Sequence, residues 1–273
     1  MKATRTVIEP QKRFSLQLSE IWQYRELFYF FTWRDIKVKY KQTYLGILWA
    51  VIQPLALLLL FSLVFAKHFA PVNHSLNYQA FVLSALVLWN LFYNATSHAA
   101  DGIVLQSNII KKIYFPRLII IGSSMLTALV DFLIAFAIFL LVCIIIGQSI
   151  SWQALLYFPA GIFVVLLAAF GIGTLLASLN VKYRDFRYAL PFLLQFLFFA
   201  SQVVYALGDI KNEWAQRLLS LNPVNAAIEL FRMGMGAEGN FDMILIGTCS
   251  ALLSAMAGIF YFRKTEAFFA DLA

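Results

Sequence analysis

The chain is 273 residues long, 62% hydrophobic and 16% aromatic, yet only 13% of it is charged. A soluble domain carries about a quarter charged residues and about half apolar ones. The bases outnumber the acids, 21 to 14, for a net charge of +7. This balance excludes a soluble enzyme, a disordered chain and a nucleic-acid-binding domain, and leaves a polytopic helical membrane protein.

In chain order, nothing before position 46 has the apolar core of a signal peptide. The segment from Leu18 to Trp33 is no span, because it carries Glu20, Arg25 and Glu26. At 100° per residue, Leu18, Ile21, Trp22, Phe28 and Tyr29 fall on one arc and Ser19, Gln23 and Glu26 on another. Leu27 and Phe30 blur the polar side. The spacing predicts an aromatic amphipathic helix lying in the membrane interface, either a simple anchor or a docking surface. A basic connector, Arg34 to Leu45, follows it. Its charges serve topology, and also stand where anionic headgroups would attract them.

Six almost uncharged windows then read as spans: 46–66, 79–96, 118–146, 155–179, 188–207 and 243–262. Each is near or above the roughly 20 residues needed to cross the hydrocarbon core. Between the second and third lies the polar loop Asp101–Arg117, with room for a short helix and with Pro116 to stop it and open the next. Pro159 and Pro191 sit near the starts of spans four and five, which a second short loop, Asn180–Arg187, connects. After span five, Gly208–Phe241 predicts two helices, around Lys211–Ser220 and Pro223–Met235, broken at Asn222-Pro223. Gly234, Gly236 and Gly239 end the second. Neither is long enough to span, so they cap the bundle or dip into it as a gate.

Six spans leave both ends on one side. That side holds the nine bases before span one, then Lys111, Lys112, Arg117, Lys182, Arg184, Arg187, Arg263 and Lys264. The other side holds only Lys67, Lys211, Arg217 and Arg232. The positive-inside rule therefore puts both termini in the cytoplasm.

The chain lacks a phosphate-cradling G-x-x-x-x-G-K-[ST] loop, an H-E-x-x-H, a G-x-S-x-G and a C-x-x-C. No catalytic residue or metal site is therefore expected. Cys143 and Cys249 lie in apolar windows as packing residues, and His68, His74 and His98 lie near membrane boundaries. Asp131 is the single carboxylate inside a span. It pairs with a neighbour such as Thr127, reaches a subunit interface, or takes a direct part in transport. Trp49 and Gln53 share a face of span one, and Phe192, Gln195, Phe196, Phe199 and Gln202 share a face of span five. Aromatic planes beside amides suit sugars, and equally suit packing with interhelical hydrogen bonds.

The assembled residues resemble a known family. They are Trp33-Arg-Asp-Ile-Lys-Val-Lys-Tyr-Lys-Gln-Thr-Tyr-Leu-Gly-Ile-Leu-Trp-Ala-Val-Ile-Gln-Pro-Leu55, Ile110-Lys-Lys-Ile-Tyr-Phe-Pro-Arg117, Tyr183-Arg-Asp-Phe-Arg187, Pro191-Phe-Leu-Leu-Gln195, Leu221-Asn-Pro223 and the tail from Phe262 to Leu272. Together, from about Leu18 to the end, they are similar to the membrane subunits of type-2 ABC exporters for cell-surface polysaccharides (Wzm-type O-antigen permeases and their capsule and teichoic acid relatives). The resemblance implies a tail at 1–17, an interface helix and connector at 18–45, a six-helix domain at 46–262 and a cytoplasmic tail at 263–273. It implies a coupling helix for the ATPase at Asn108, Ile109, Ile110, Lys111, Lys112, Ile113, Tyr114 and Phe115, and outer gate helices marked by Trp214, Leu221, Asn222 and Pro223. Two copies would surround a channel lined by Trp49, Gln53, Phe192, Gln195, Phe196, Phe199 and Gln202 on spans one and five. Two separate ABC ATPase chains would hold ATP and Mg2+, this chain binding no cofactor and doing no enzymatic work. The substrate would be a lipid-linked glycan on undecaprenyl diphosphate, moved across the inner membrane from cytoplasm to periplasm past a basic cytoplasmic rim at Arg34, Lys37 and Lys39. An ion-coupled flippase, a type-2 exporter of another lipid, a drug or haem, and a non-transporting membrane scaffold are the rival readings.

Overall fold

The computed structural model describes residues 18–41, 48–69, 76–183, 185–266 and 269. The tail before Leu18, the end of the basic connector, His74, Arg184 and most of the C-terminal tail lie outside the described residues, as do the side chains of Lys67 and His68. Among the described residues eleven α-helices follow one another: α1 (Leu18–Gln23), α2 (Arg25–Lys41), α3 (Leu48–Phe69), α4 (Tyr78–Leu105), α5 (Ser107–Ile110), α6 (Leu118–Ile145), α7 (Ala154–Lys182), α8 (Phe186–Phe199), α9 (Glu213–Ser220), α10 (Pro223–Gly234) and α11 (Phe241–Thr265). No strand occurs among the described residues. Among the described residues four helices, α4, α6, α7 and α11, are long and apolar enough to cross a membrane.

Three elements depart from the sequence expectation. Helix α2 does not stop at Trp33 but runs through the basic run to Lys41, which contains no glycine or proline to break it. Its aromatics are not gathered on one face: Phe31 is buried, while Tyr29, Phe30 and Trp33 stay exposed, as does Trp22 on α1. Helix α4 extends nine residues past its window, taking Asp101 inside the helix near Arg187 (3.8 Å) and Asn180 (3.5 Å). The fifth window is helical only to Phe199, so α8 has 14 residues and a length of about 21 Å against a hydrocarbon core of about 30 Å.

The bundle is built on α4 and α7. From Ala80 to Trp89, α4 is buried on every side, which explains a window without polar alternation. Helix α7 meets α11 almost backbone to backbone. A Cβ added at Gly171 would collide with the main chain at Ser254 and Ala255, and one at Gly258 with the Gly171 carbonyl. Small residues at such crossings let apolar helices approach where no water is available to drive them together.

The two short helices fall where predicted, around the Asn222-Pro223 break. Three asparagines start the last three helices: Asn212 accepts from Trp214 and Ala215 N–H, Asn222 from Val224, and Asn240 from Asp242 and Met243. Pro223 occupies the first turn, where its missing N–H costs nothing. Helix α10 is almost wholly buried, and Phe231 packs on Phe158 at 4.7 Å beside Phe136 and Phe139. Its last carbonyl, at Gly234, accepts from both the backbone N–H and the hydroxyl of Ser151. A short helix can lie inside an apolar bundle only with its ends satisfied in this way. Gly236, at φ 88°, turns the chain out of it.

Candidate functional site

Helix α2 meets α6 along one face. The Phe28 ring fills the space that a Cβ on Gly122 would need, and Phe31 packs on Phe115 with centroids 5.7 Å apart. The Thr32 hydroxyl donates to the Ser123 carbonyl at 3.5 Å. Two turns on, Lys39 Nζ donates to Asp131 Oδ2 at 2.5 Å, and the Tyr40 hydroxyl donates to Oδ1 of the same carboxylate. Asp131 is therefore paired across helices rather than with Thr127, whose hydroxyl turns back to the Ser123 carbonyl. Burial, the hydrogen bond and the carboxylate charge all raise the Tyr40 pKa far above the usual tyrosine range, so the phenol stays a donor.

The pair closes one side of a polar cavity of about 180 Å³ between α2, α3, α4 and α6. Trp49 and Gln53, one turn apart on α3, face Asn90 and Asn94, one turn apart on α4, with Asp131, Lys39 and Tyr40 at the end. The amides supply both donors and acceptors, and the indole supplies an apolar plane. Two of the residues expected to line a channel thus meet five polar residues from other helices.

The remaining expected positions are more scattered. On α8, Phe192, Gln195, Phe196 and Phe199 are exposed together. Gln202 is 1% exposed and does not join them, because the helical spacing that would align it ends at Phe199. The coupling segment is a single turn, α5, followed by bends that lead into Pro116. Asn108, Lys111, Lys112, Ile113 and Tyr114 are exposed and Ile109 is half-buried, whereas Ile110 and Phe115 are buried in the core and turned away from any partner. In the basic rim, Arg34 is paired with Asp35 at 2.7 Å and stacks on Phe31, and Lys37 lies 5.8 Å over Trp33. At the other end of the bundle Trp214 and Leu221 are exposed, Asn222 is buried and donates to the Ser201 hydroxyl at 2.9 Å, and Pro223 is buried.

Sequence reasoning missed a second charged cluster. Arg232, 4% exposed, donates to Gln202 Oε1 at 3.0 Å and to the Gln202 carbonyl at 2.6 Å. Its guanidinium lies 3.4 Å over the Phe81 ring. Gln202 in turn donates to Glu229 (3.0 Å) and the Asn225 carbonyl (2.9 Å). The available signal was Asn225, Glu229 and Arg232 at i, i+4 and i+7, a polar stripe on an otherwise apolar helix.

An all-helical bundle with apolar spans, a buried short helix and a polar chamber at its basic end defines a multi-pass membrane protein of the transporter class. Residues 26–235 match the ABC-2 type transporter family, and the chain belongs to that family. It is 28% identical over 256 residues to an O-antigen export system permease protein of Myxococcus xanthus, a match covering 90% of this chain and 96% of that one. It is 25% identical to an O-antigen export system permease protein of Klebsiella pneumoniae, covering 88% of this chain and 92% of the relative. A polysialic acid transport protein of Escherichia coli is 25% identical over 73% of this chain and 77% of its own length.

Proposed function

We propose that the chain is the transmembrane subunit of an ATP-driven exporter that carries a lipid-linked polysaccharide, on undecaprenyl diphosphate, across the inner membrane to the periplasm. Relatives named as O-antigen export permeases support the substrate class. The observation that carries the reading is the face of α8, where Phe192, Phe196 and Phe199 are 66–70% exposed around Gln195. Exposed aromatic planes beside an amide can stack on the apolar faces of sugar rings and hydrogen-bond their hydroxyls. A 14-residue helix open along such a face calls for a second copy opposite it, so that α3 and α8 of a homodimer enclose the path.

In this reading α3 and α8 are spans one and five, both termini are cytoplasmic, and α9 and α10 form the periplasmic gate. The basic rim at Arg34, Lys37 and Lys39 draws the diphosphate, and two ABC ATPase subunits with ATP and Mg2+ dock on the exposed part of Asn108–Tyr114 and on α1–α2. Co-expression with a cytoplasmic ABC ATPase is expected to yield a stable complex whose ATP turnover rises with lipid-linked glycan. In that complex, replacing Lys111 and Lys112 by Glu is expected to leave basal hydrolysis intact and reduce export at least 10-fold. Undiminished export by the double variant would defeat the docking assignment. Transport that continues after ATP depletion would defeat the whole reading in favour of an ion-coupled flippase.

A further inference from the structure

A second cavity, about 470 Å³, lies beyond the Lys39–Asp131 pair toward the C-terminal end of α4, the cytoplasmic end in the reading above. Arg34, Asp35, His98, Gln106, Ser124 and Thr127 line it, and Lys39 is common to both cavities. On α6, Thr127 and Asp131 stand one turn apart, one in each wall. On α4 and its C-cap the two linings form a single row, Asn90, Asn94, His98, Gly102 and Gln106, at every fourth residue. Such a row follows the natural ridge of a helix, and sixteen residues rise about 24 Å. The cavities are thus two chambers of one polar seam between α2, α4 and α6, divided by an ion pair.

We propose that this seam seats the head of the lipid substrate, with the diphosphate in the cytoplasmic-side chamber and the first sugar in the deep one, and that Lys39 exchanges Asp131 for a phosphate as the head arrives. The inference rests on the reading of the chain as a permease for a lipid-linked glycan. Four observations carry it. The charges of the lining neutralise one another, Arg34 by Asp35 and Lys39 by Asp131. The Lys39 side chain is 42% exposed against 10% for Asp131, so the base is the partner able to swing. When it does, the carboxylate keeps the Tyr40 hydroxyl. Gln106 is 93% buried with no hydrogen-bond partner for Oε1, an acceptor in the wall that a water bridging to the diphosphate would satisfy. Beside the same chamber Val38 and Leu105 are 62% and 67% exposed, an apolar flank for the lipid chain.

Native mass spectrometry of the complex with its ATPase subunits tests the proposal, with undecaprenyl diphosphate, phosphatidylglycerol and inorganic pyrophosphate as separate probes. The wild type is expected to retain undecaprenyl diphosphate at least 10-fold better than either of the others. Lys39→Met should lose that preference and Lys39→Arg keep it, while Asp131→Asn, by releasing Lys39, should retain the lipid more tightly and export more slowly. Asn94→Leu should weaken retention of the sugar-bearing lipid but not of bare undecaprenyl diphosphate. Equal retention of pyrophosphate would reduce the seam to a free-anion site, and equal retention of phosphatidylglycerol to a general lipid site; either overturns the proposal. So does wild-type retention by Lys39→Met, or weaker retention by Asp131→Asn in a complex recovered at wild-type yield. If the wild type exports glycan and these variants match it, the seam assignment alone fails. If the wild type shows no glycan-stimulated ATP turnover, the functional reading beneath it fails first.

Discussion

Two charged clusters stand at different levels of the bundle, one against the start of α4 and one at the middle of α6, and they are built on different terms. Around Arg232 the guanidinium is sealed: two hydrogen bonds to Gln202, an aromatic ring against its face, and Glu229 held through the same glutamine. Around Asp131 the carboxylate is enclosed, but its base comes from a helix outside the spans, is 42% exposed and borders two cavities. The first arrangement fixes a buried short helix against α4 and the end of α8. The second joins two elements that can separate. Buried ion networks cost desolvation and return it only when every group is partnered. The Arg232 cluster comes close to meeting that condition, and the Lys39 pair meets it only while α2 lies against α6.

The comparison breaks most readily at Arg232. Replacing it with Met removes both charge-assisted bonds to the buried Gln202 and takes the countercharge from the half-buried Glu229, a loss of about 3 kcal/mol. The expected result is a large fall in the melting temperature of the detergent-solubilised protein, with protease access to the 206–240 region. Arg232→Lys is expected to rescue little, because a lysine cannot reproduce the fork on Gln202. If Arg232→Met melts like the wild type, the cluster is no lock.

Asp131→Ala sharpens the contrast. With Lys39 already in contact with solvent, screening discounts the pair, and the loss should be about 1–2 kcal/mol. The variant should therefore melt between the wild type and Arg232→Met. A fall as large as that of Arg232→Met would mean that the seam is as rigid as the cap.

The two clusters also differ in how far they could be read from sequence. Apolar windows located α3, α4, α6, α7 and α11, because a span's length and composition are set by the bilayer itself. The break at Asn222-Pro223 located α9 and α10, because cap chemistry is local. The end of α8 was illegible: no charge or proline marks Phe199, and the chain turns there to bring Gln202 to Arg232, 30 residues away. Asp131 stood out for being alone in its window, yet its partners lie more than 90 residues earlier, in a run whose charges topology already explained. Helical periodicity places residues on a face but does not say which helix that face will meet.

The smallest effect expected is that of Tyr40→Phe. It deletes one hydrogen bond to Asp131 while leaving the ion pair, a loss of about 1–1.5 kcal/mol for a bond to a charged acceptor. Its pH dependence separates it from the pair. The tyrosine pKa is raised in the fold by burial first and then by Asp131, so its contribution is fully present below the ordinary tyrosine range and is lost only as pH climbs through the raised value. Between neutral pH and the onset of ordinary tyrosine ionisation near about 10, the melting difference between wild type and Tyr40→Phe should stay flat. A difference that shrinks across that interval would mean that the phenol ionises like an exposed one, and that Asp131 is not enclosed with it.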